Sequence, residues 1–192
     1  MKSYTTKPLN DETWPDFERL VEANNGVWGG CWCMWYHNQD VEDSPAAKKC
    51  AKEQLVKTGN AHASLVYDEG ECVGWCQFGT PEELPRLHNQ RAYLATNPVL
   101  PAWRITCFFA GKGHRGQGVA GAAIEGAVQQ IKQLGGGRIE GYPDDTQGRK
   151  ASAAFLFNGK LSTFEKLGFK PERKIGKHKW VVTRTVRASR TS

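Results

Sequence analysis

The sequence predicts an α+β fold built on a mixed sheet, and three observations carry that prediction. Helical patterns come first, strand patterns dominate the middle and the end, and one strand–helix–strand unit lies between Ala102 and Tyr142. Hairpin signals stand on both sides of that unit.

Taken in order, Tyr4–Leu9 reads as a short first strand. Asp11–Asn25 is an amphipathic helix, with Trp14, Phe17, Leu20 and Val21 on one face and Asn10 or Asp11 as its cap. Gly26–His37 packs glycine, tryptophan and cysteine in dense succession. Ser44-Pro45 opens a second helix that runs to about Thr58, with proline at the first helical position. Ala61–Tyr67 and Cys72–Phe78 flank Asp68-Glu69-Gly70-Glu71, which predicts an antiparallel hairpin. Pro81–Pro101 is a long connection with one helical turn at most. Ala102–Ala110 is a strand, Gly118–Leu134 a helix, and Arg138–Tyr142 a strand stopped by Pro143. After the polar loop Asp144–Lys150, Leu161–Leu167 forms a short helix that Gly168 ends in the left-handed conformation. Phe169–Ile175 and Lys179–Val186 make a last hairpin, turning at Gly176-Lys177.

A chain of 192 residues with 39% hydrophobic content supports one domain with a real core. We take residues 1–187 as that domain and 188–192 as a frayed basic tail. The sequence opens without a signal-peptide pattern and holds no apolar run of membrane-spanning length, so a soluble, cytoplasmic protein is expected. Six cysteines (Cys31, Cys33, Cys50, Cys72, Cys76, Cys107), most of them inside apolar runs, read as reduced core thiols. The formal charge of +6 is uneven: from Lys170 onward eight Lys or Arg face one acid. A solvated edge hairpin explains that bias more simply than nucleic-acid binding does.

The chemistry concentrates after the central strand, at Arg115-Gly116-Gln117-Gly118-Val119-Ala120. Glycines there expose several backbone N–H groups together at the positive end of a new helix, which is how a chain grips a pyrophosphate. A dinucleotide-binding fold would place three spaced glycines directly after an opening strand and an acid about 20 residues later; here the strand–helix unit lies in the centre of the chain, with antiparallel hairpins before and after it. No Gly-Lys-Ser or Gly-Lys-Thr supports a nucleoside-triphosphate loop.

Arg115, Gly118 and Ala120 resemble the signature of the GNAT superfamily of acyl-CoA N-acyltransferases: Arg or Gln, two residues, Gly, one residue, then Gly or Ala. Val73-Gly74-Trp75 after the first hairpin turn and Glu165-Lys166-Leu167-Gly168-Phe169 at the late helix–strand junction are also similar to that family. The order of elements matches along nearly the whole chain. The resemblance implies a mostly antiparallel central sheet with helices on both faces and acetyl-CoA as co-substrate. It implies a primary amine of a small molecule or protein as acceptor, and direct transfer in a ternary complex. It gives the CoA pyrophosphate to the N–H groups of Arg115, Gly116, Gln117, Gly118, Val119 and Ala120, with Lys112 or His114 near other phosphates. It gives the pantetheine arm to the backbone of Phe108, Phe109 and Ala110, where the central strand splays from its partner.

The catalytic groups are less defined. Family members often carry a Tyr acid at the position of Phe164, and Phe donates nothing; Ser162 and Thr163 stand beside it. Glu140 and Tyr142, on the strand that borders the cleft, are the candidates for proton transfer. Trp28, Trp32 and Trp35 in the segment between the first two helices either hold the acceptor or wedge those helices together. Cys31, Cys33 and His37 lack the four well-spaced ligands of structural zinc, so no metal is expected. A CoA-binding module of the same fold without turnover is the alternative, and a homodimer is compatible with either reading.

Overall fold

The computed structural model describes residues 2–27, 29–37, 40–96, 98–147 and 156–189. Within them seven strands form one sheet: β1 (Thr5–Pro8), β2 (His62–Asp68), β3 (Glu71–Gly79), β4 (Trp103–Ala110), β5 (Gly136–Gly141), β6 (Lys170–Lys174) and β7 (Trp180–Arg187). Their order is β1-β2-β3-β4-β5-β7-β6. Only β4 and β5 pair in parallel; every other neighbour is antiparallel. The fold is therefore α+β on a mixed, mostly antiparallel sheet.

Five helices cover it: α1 (Trp14–Glu22), α2 (Pro45–Lys57), α3 (Gln90–Leu94), α4 (Val119–Gln133) and α5 (Leu161–Lys166), with a 3-10 turn at Met34–Tyr36. The first helix starts later than its apolar pattern suggests, because Asn10 and Thr13 spend their side chains on the preceding turn. The Thr13 N–H donates to Asn10 Oδ1 and the Asn10 N–H to Thr13 Oγ1, each at 3.0 Å. Ser44 caps α2 as expected, its hydroxyl accepting from the Ala47 N–H at 3.2 Å.

Alternation along the strands sorts the apolar side chains onto two faces. One packs Leu65, Trp75, Cys107 and Phe109 against α1 and the following loop, and the other packs Ile105, Phe108, Ile139 and Val182 against α4 and α5. A smaller cluster joins Leu87, Tyr93, Tyr142, Ile175 and Val181. Phe164 is fully buried, and a Cβ at Gly141 would lie 2.4 Å from its ring. Only a bare backbone at Gly141 lets that ring lie down.

β5 begins at Gly136, two residues before the expected start, because Gly136 and Gly137 pair with Arg187 and Val186 of β7. It ends at Gly141, which leaves Tyr142 just outside the strand. Of the expected frayed tail, residues 190–192 lie outside the described residues. Ser189 is tied down: its N–H donates to the Lys132 carbonyl at 2.8 Å.

The feature that positions a site is the departure of β4 from β5. They pair only through Trp103–Ile105 and Ile139–Gly141, while β4 runs on to Ala110. The edge this exposes receives Phe157 and Asn158 from the segment before α5. The Phe108 N–H donates to the Phe157 carbonyl at 2.7 Å, and the Asn158 amide donates to the Thr106 carbonyl.

Candidate active site

The turn from Gly111 to Gly118 joins β4 to α4, and Lys112, Gly113 and Arg115–Gly118 are exposed. The side chains that brace it donate to its carbonyl oxygens. Arg115 Nε reaches Ala110 at 3.3 Å, the Tyr4 hydroxyl reaches Gln117 at 3.2 Å, and the Gln117 amide reaches Gly113. Among the described residues no side chain accepts from the N–H groups of Arg115–Gly121, and Gly118 caps the helix with no side-chain hydrogen bond. Gly118 holds φ +96°, which a residue with a Cβ adopts only under strain. Orphan donors thus gather at the positive end of a 15-residue helix, open to solvent. Lys112 and Arg115 add exposed cations; His114 is half-buried, its Nδ1 3.6 Å from Asp68.

Along β4, successive amides face opposite sides. The Gly111 N–H goes to the Val73 carbonyl of β3 at 2.8 Å, so the backbone of Ala110 faces the opened edge, as that of Phe108 does. The Phe108 N–H is already engaged by Phe157, which leaves its carbonyl and the Ala110 N–H as the groups for an incoming amide. Phe109 lies on the α1 face, its ring stacked on Trp75 at 4.8 Å.

Five side chains, four of them not singled out by the sequence analysis, gather beside this edge. Asn158, 2% exposed, donates to the Tyr36 hydroxyl at 2.7 Å and accepts from Lys179 Nζ at 2.9 Å. Lys179 also pairs with Asp144 at 2.7 Å. His88 stacks on Trp35 with ring centroids 4.0 Å apart and tilts on Phe157 at 5.0 Å. Burial, and then the Lys179 cation, holds the His88 imidazole below its ordinary pKa, so it is neutral at pH 7. These residues come from five segments that only the fold brings together. Aromatic density flagged Trp35 and its neighbour Tyr36, and no local signal marks Asn158, Lys179, Asp144 or His88.

Glu140 and Tyr142 do come together, in a sealed place. Glu140 is 0% exposed; its Oε2 accepts from the Tyr93 hydroxyl at 2.8 Å and the Tyr142 hydroxyl at 3.0 Å. Arg138 stands 3.1 Å from its Oε1. Burial, with the Glu140 charge beside it, pushes the Tyr142 phenol well above its usual pKa. A carboxylate and a phenol so engaged anchor the end of β5 under α3. Phe164 meets Phe108 and Phe169 edge-on at 5.8 and 5.0 Å.

The tryptophans divide. Trp32 is 3% exposed and stacks on Trp14 at 6.0 Å, so it is the wedge against α1 rather than a contact for an acceptor. Trp35 is 39% exposed and faces His88. Trp28 lies outside the described residues. The turn between the two described rings is made at Trp32 and Cys33, whose φ values of 50° and 56° are left-handed. Cys33 meets Cys107 and His37 meets Lys52, and among the described residues no three His, Cys, Asp or Glu side chains converge as a metal site would require.

No curated protein sequence matches this chain. Solved structures do. A histone acetyltransferase HPA2 and related acetyltransferase from Corynebacterium glutamicum is 18% identical, with 99% of each chain covered and a TM-score of 0.53. An acetyltransferase from Thermus thermophilus is 12% identical over 96% of this chain and 97% of its own, TM-score 0.52. The PaiA N-acetyltransferase of Thermoplasma acidophilum, in complex with coenzyme A, is 13% identical over 96% and 99%, TM-score 0.52. At such identities the likeness speaks for the fold. The sequence model of the acetyltransferase (GNAT) family matches residues 7–156, and across that span lie both the splayed β4–β5 pair and the open amides at the head of α4. The chain belongs to the GNAT acetyltransferase family.

Proposed function

We propose that residues 1–187 act as one acyltransferase domain in the cytoplasm, moving an acetyl group from acetyl-CoA to the primary amine of a small molecule or protein. The observation that carries this reading is the set of N–H groups at Arg115–Ala120, on exposed backbone from Arg115 to Gly118, with no side-chain acceptor among the described residues. A diphosphate satisfies them and sits well in the field of α4. The fit extends along β4, where the Phe108 carbonyl and the Ala110 N–H suit the amide groups of a pantetheine arm. That arm would bring the thioester to the edge lined by Tyr36, His88 and Asn158.

Transfer needs few groups. The amine nitrogen attacks the thioester carbonyl carbon, the C–S bond breaks and CoA leaves as its thiolate. The proton shed by the amine goes to water or to the neutral His88 imidazole. Positioning supplies much of the rate, since alignment of two bound reactants is worth several kcal/mol. Trp35 and His88 form the flat wall against which the acceptor rests. Glu140 and Tyr142 are assigned to holding β5 in place.

Titration calorimetry with acetyl-CoA tests the reading. Binding is expected in the micromolar to submillimolar range, roughly that of ordinary substrates. Absence of both heat and a thermal shift would remove the proposal. The second reading, a CoA-binding sensor without turnover, is favoured by one observation: Phe164 has no hydroxyl to protonate the leaving thiolate. Saturable CoA binding with no product across a broad amine panel would select it.

A further inference from the structure

Beneath the loop that carries Trp35 and Tyr36, two thiols lie in contact. Cys33 and Cys107 are 74 residues apart in the chain, yet their Sγ atoms share a hydrogen bond at 3.2 Å. Both are shielded, at 2% and 4% exposure. The surroundings are not ordinary core. Lys52 is 1% exposed, with Nζ 2.8 Å from Gln77 Oε1 and 3.2 Å from His37 Nε2. No carboxylate forms an ion pair with it among the described residues. Burial lowers the Lys52 pKa, and the charges that favour its ammonium are those of the Cys33, Cys107 and Cys31 sulfurs and then the Glu83 carboxylate. Cys33 is the more acidic of the two thiols: its hydrogen bond with Cys107 lowers its pKa most, and the Lys52 charge lowers it further. Cys107 is pushed the other way, first by that hydrogen bond and then by burial. A thiolate-prone sulfur in contact with a partner thiol makes a pair that an oxidant can join.

The backbone adds an independent observation. Trp32 and Cys33 are consecutive left-handed residues without a glycine between them. Such backbone is strained for residues with a side chain and persists where the surroundings hold it. The contact with β4 at Cys107 is part of what holds it.

We propose that Cys33 and Cys107 are an oxidisable dithiol, which a peroxide converts to a disulfide that staples the Gly26–His37 loop to β4. The Cys33 thiolate attacks one peroxide oxygen; the O–O bond breaks, and the departing hydroxide takes a proton to become water. The Cys107 sulfur then attacks the Cys33 sulfenic acid; the S–O bond breaks, and hydroxide leaves with the Cys107 proton as a second water. Two thiols and one peroxide give one disulfide and two waters. The new bond closes a ring already drawn by hydrogen bonds. Tyr36 follows Cys33 by three residues and meets Asn158, and Asn158 holds the Thr106 carbonyl next to Cys107. Drawing the sulfurs together by about 1 Å falls on the Trp35–Tyr36 segment and leaves the phosphate turn outside the ring. The consequence for catalysis, an altered acceptor wall, rests on the function proposed above; the chemistry of the thiols does not.

The test treats the full-length protein with hydrogen peroxide, then denatures it in an alkylating reagent and maps the peptides by mass. Expected are a linked Cys33–Cys107 pair lighter by two hydrogen atoms, its release by dithiothreitol, and its loss in Cys107→Ser and in Cys33→Ser. Exposed Cys50 reports that the dose suffices. Oxidised Cys50 with Cys33 and Cys107 both still alkylated would overturn the proposal, as would a Cys31–Cys33 link in their place. Amide exchange at residues 34–37 should slow at least threefold in the oxidised protein while residues 112–118 are unchanged. Equal exchange in both forms would refute the mechanical link to the acceptor wall. Neither readout needs a substrate, so failure here is separable from failure of the acetyl-transfer reading.

Discussion

At the turn after β4, the amides of Arg115–Gly121 meet no side-chain acceptor among the described residues, and Arg115–Gly118 stand in solvent. Where β4 and β5 still pair, Glu140 is sealed from solvent, with Tyr93 and Tyr142 on one oxygen and Arg138 beside the other. Both regions are polar, and they serve opposite ends. Hydrogen-bonding capacity left unmet at a surface costs little while water fills it and becomes affinity when a ligand replaces the water. Capacity met inside the protein becomes rigidity, and withdrawing one partner is costly.

That contrast can be broken from the inside first. Glu140→Ala should lower unfolding stability by about 2–4 kcal/mol, since it leaves two buried phenols without their shared acceptor while Arg138 keeps Glu172, and the folded molecules bind acetyl-CoA unchanged. Urea unfolding and calorimetry read the two halves. A large loss of turnover at full stability would instead make Glu140 a proton carrier.

Acid sharpens it next. Burial, and then Lys52, holds His37 at about 2, far below its ordinary 6.5. The unfolded chain takes up a proton that the folded one refuses, so this contribution is complete above pH 6.5 and is lost as the pH falls. Each unit below costs about 1.4 kcal/mol, or roughly 2 by pH 5. The difference between wild type and His37→Gln, measured at pH 7 and pH 5, isolates it from titrating carboxylates.

At the turn the effects move to ligand affinity. Gly118→Val should weaken acetyl-CoA at least about tenfold, or roughly 1.4 kcal/mol, because a branched side chain at φ +96° distorts the amides that face the diphosphate. Arg115→Ala is the mildest, about two- to fivefold at low salt and close to nothing at high salt, as an exposed cation should be. Equal effects of these two substitutions would mean that side-chain charge, and not the backbone, carries the grip.

The open region was legible in the sequence, and the sealed one was not. Glycine spacing after an apolar strand specifies backbone geometry directly, so the glycine turn and α4 fell where the pattern put them. The hairpin of β2 and β3 followed equally well from alternation around Asp68-Glu69-Gly70-Glu71. The run Gly135-Gly136-Gly137 looks like a linker, and only pairing with β7 turns its end into strand. Glu140 and Tyr142 alternate on one face as expected, but that Tyr93 of α3 would cover them is a tertiary fact. Trp32 and Trp35 are indistinguishable by composition, three residues apart, and a left-handed pair between them sends one inward and leaves the other at the surface. Asn158, Lys179 and His88 have no shared local signal; their proximity exists only after the chain has closed.

The packing of Phe164 on Gly141 limits how this enzyme can change. A side chain at residue 141 would collide with that ring, so the identities of the two positions are tied to each other. Enlarging the residue at 141 therefore takes a smaller one at 164, and the edge-on packing of that ring with Phe108 and Phe169 would go with it.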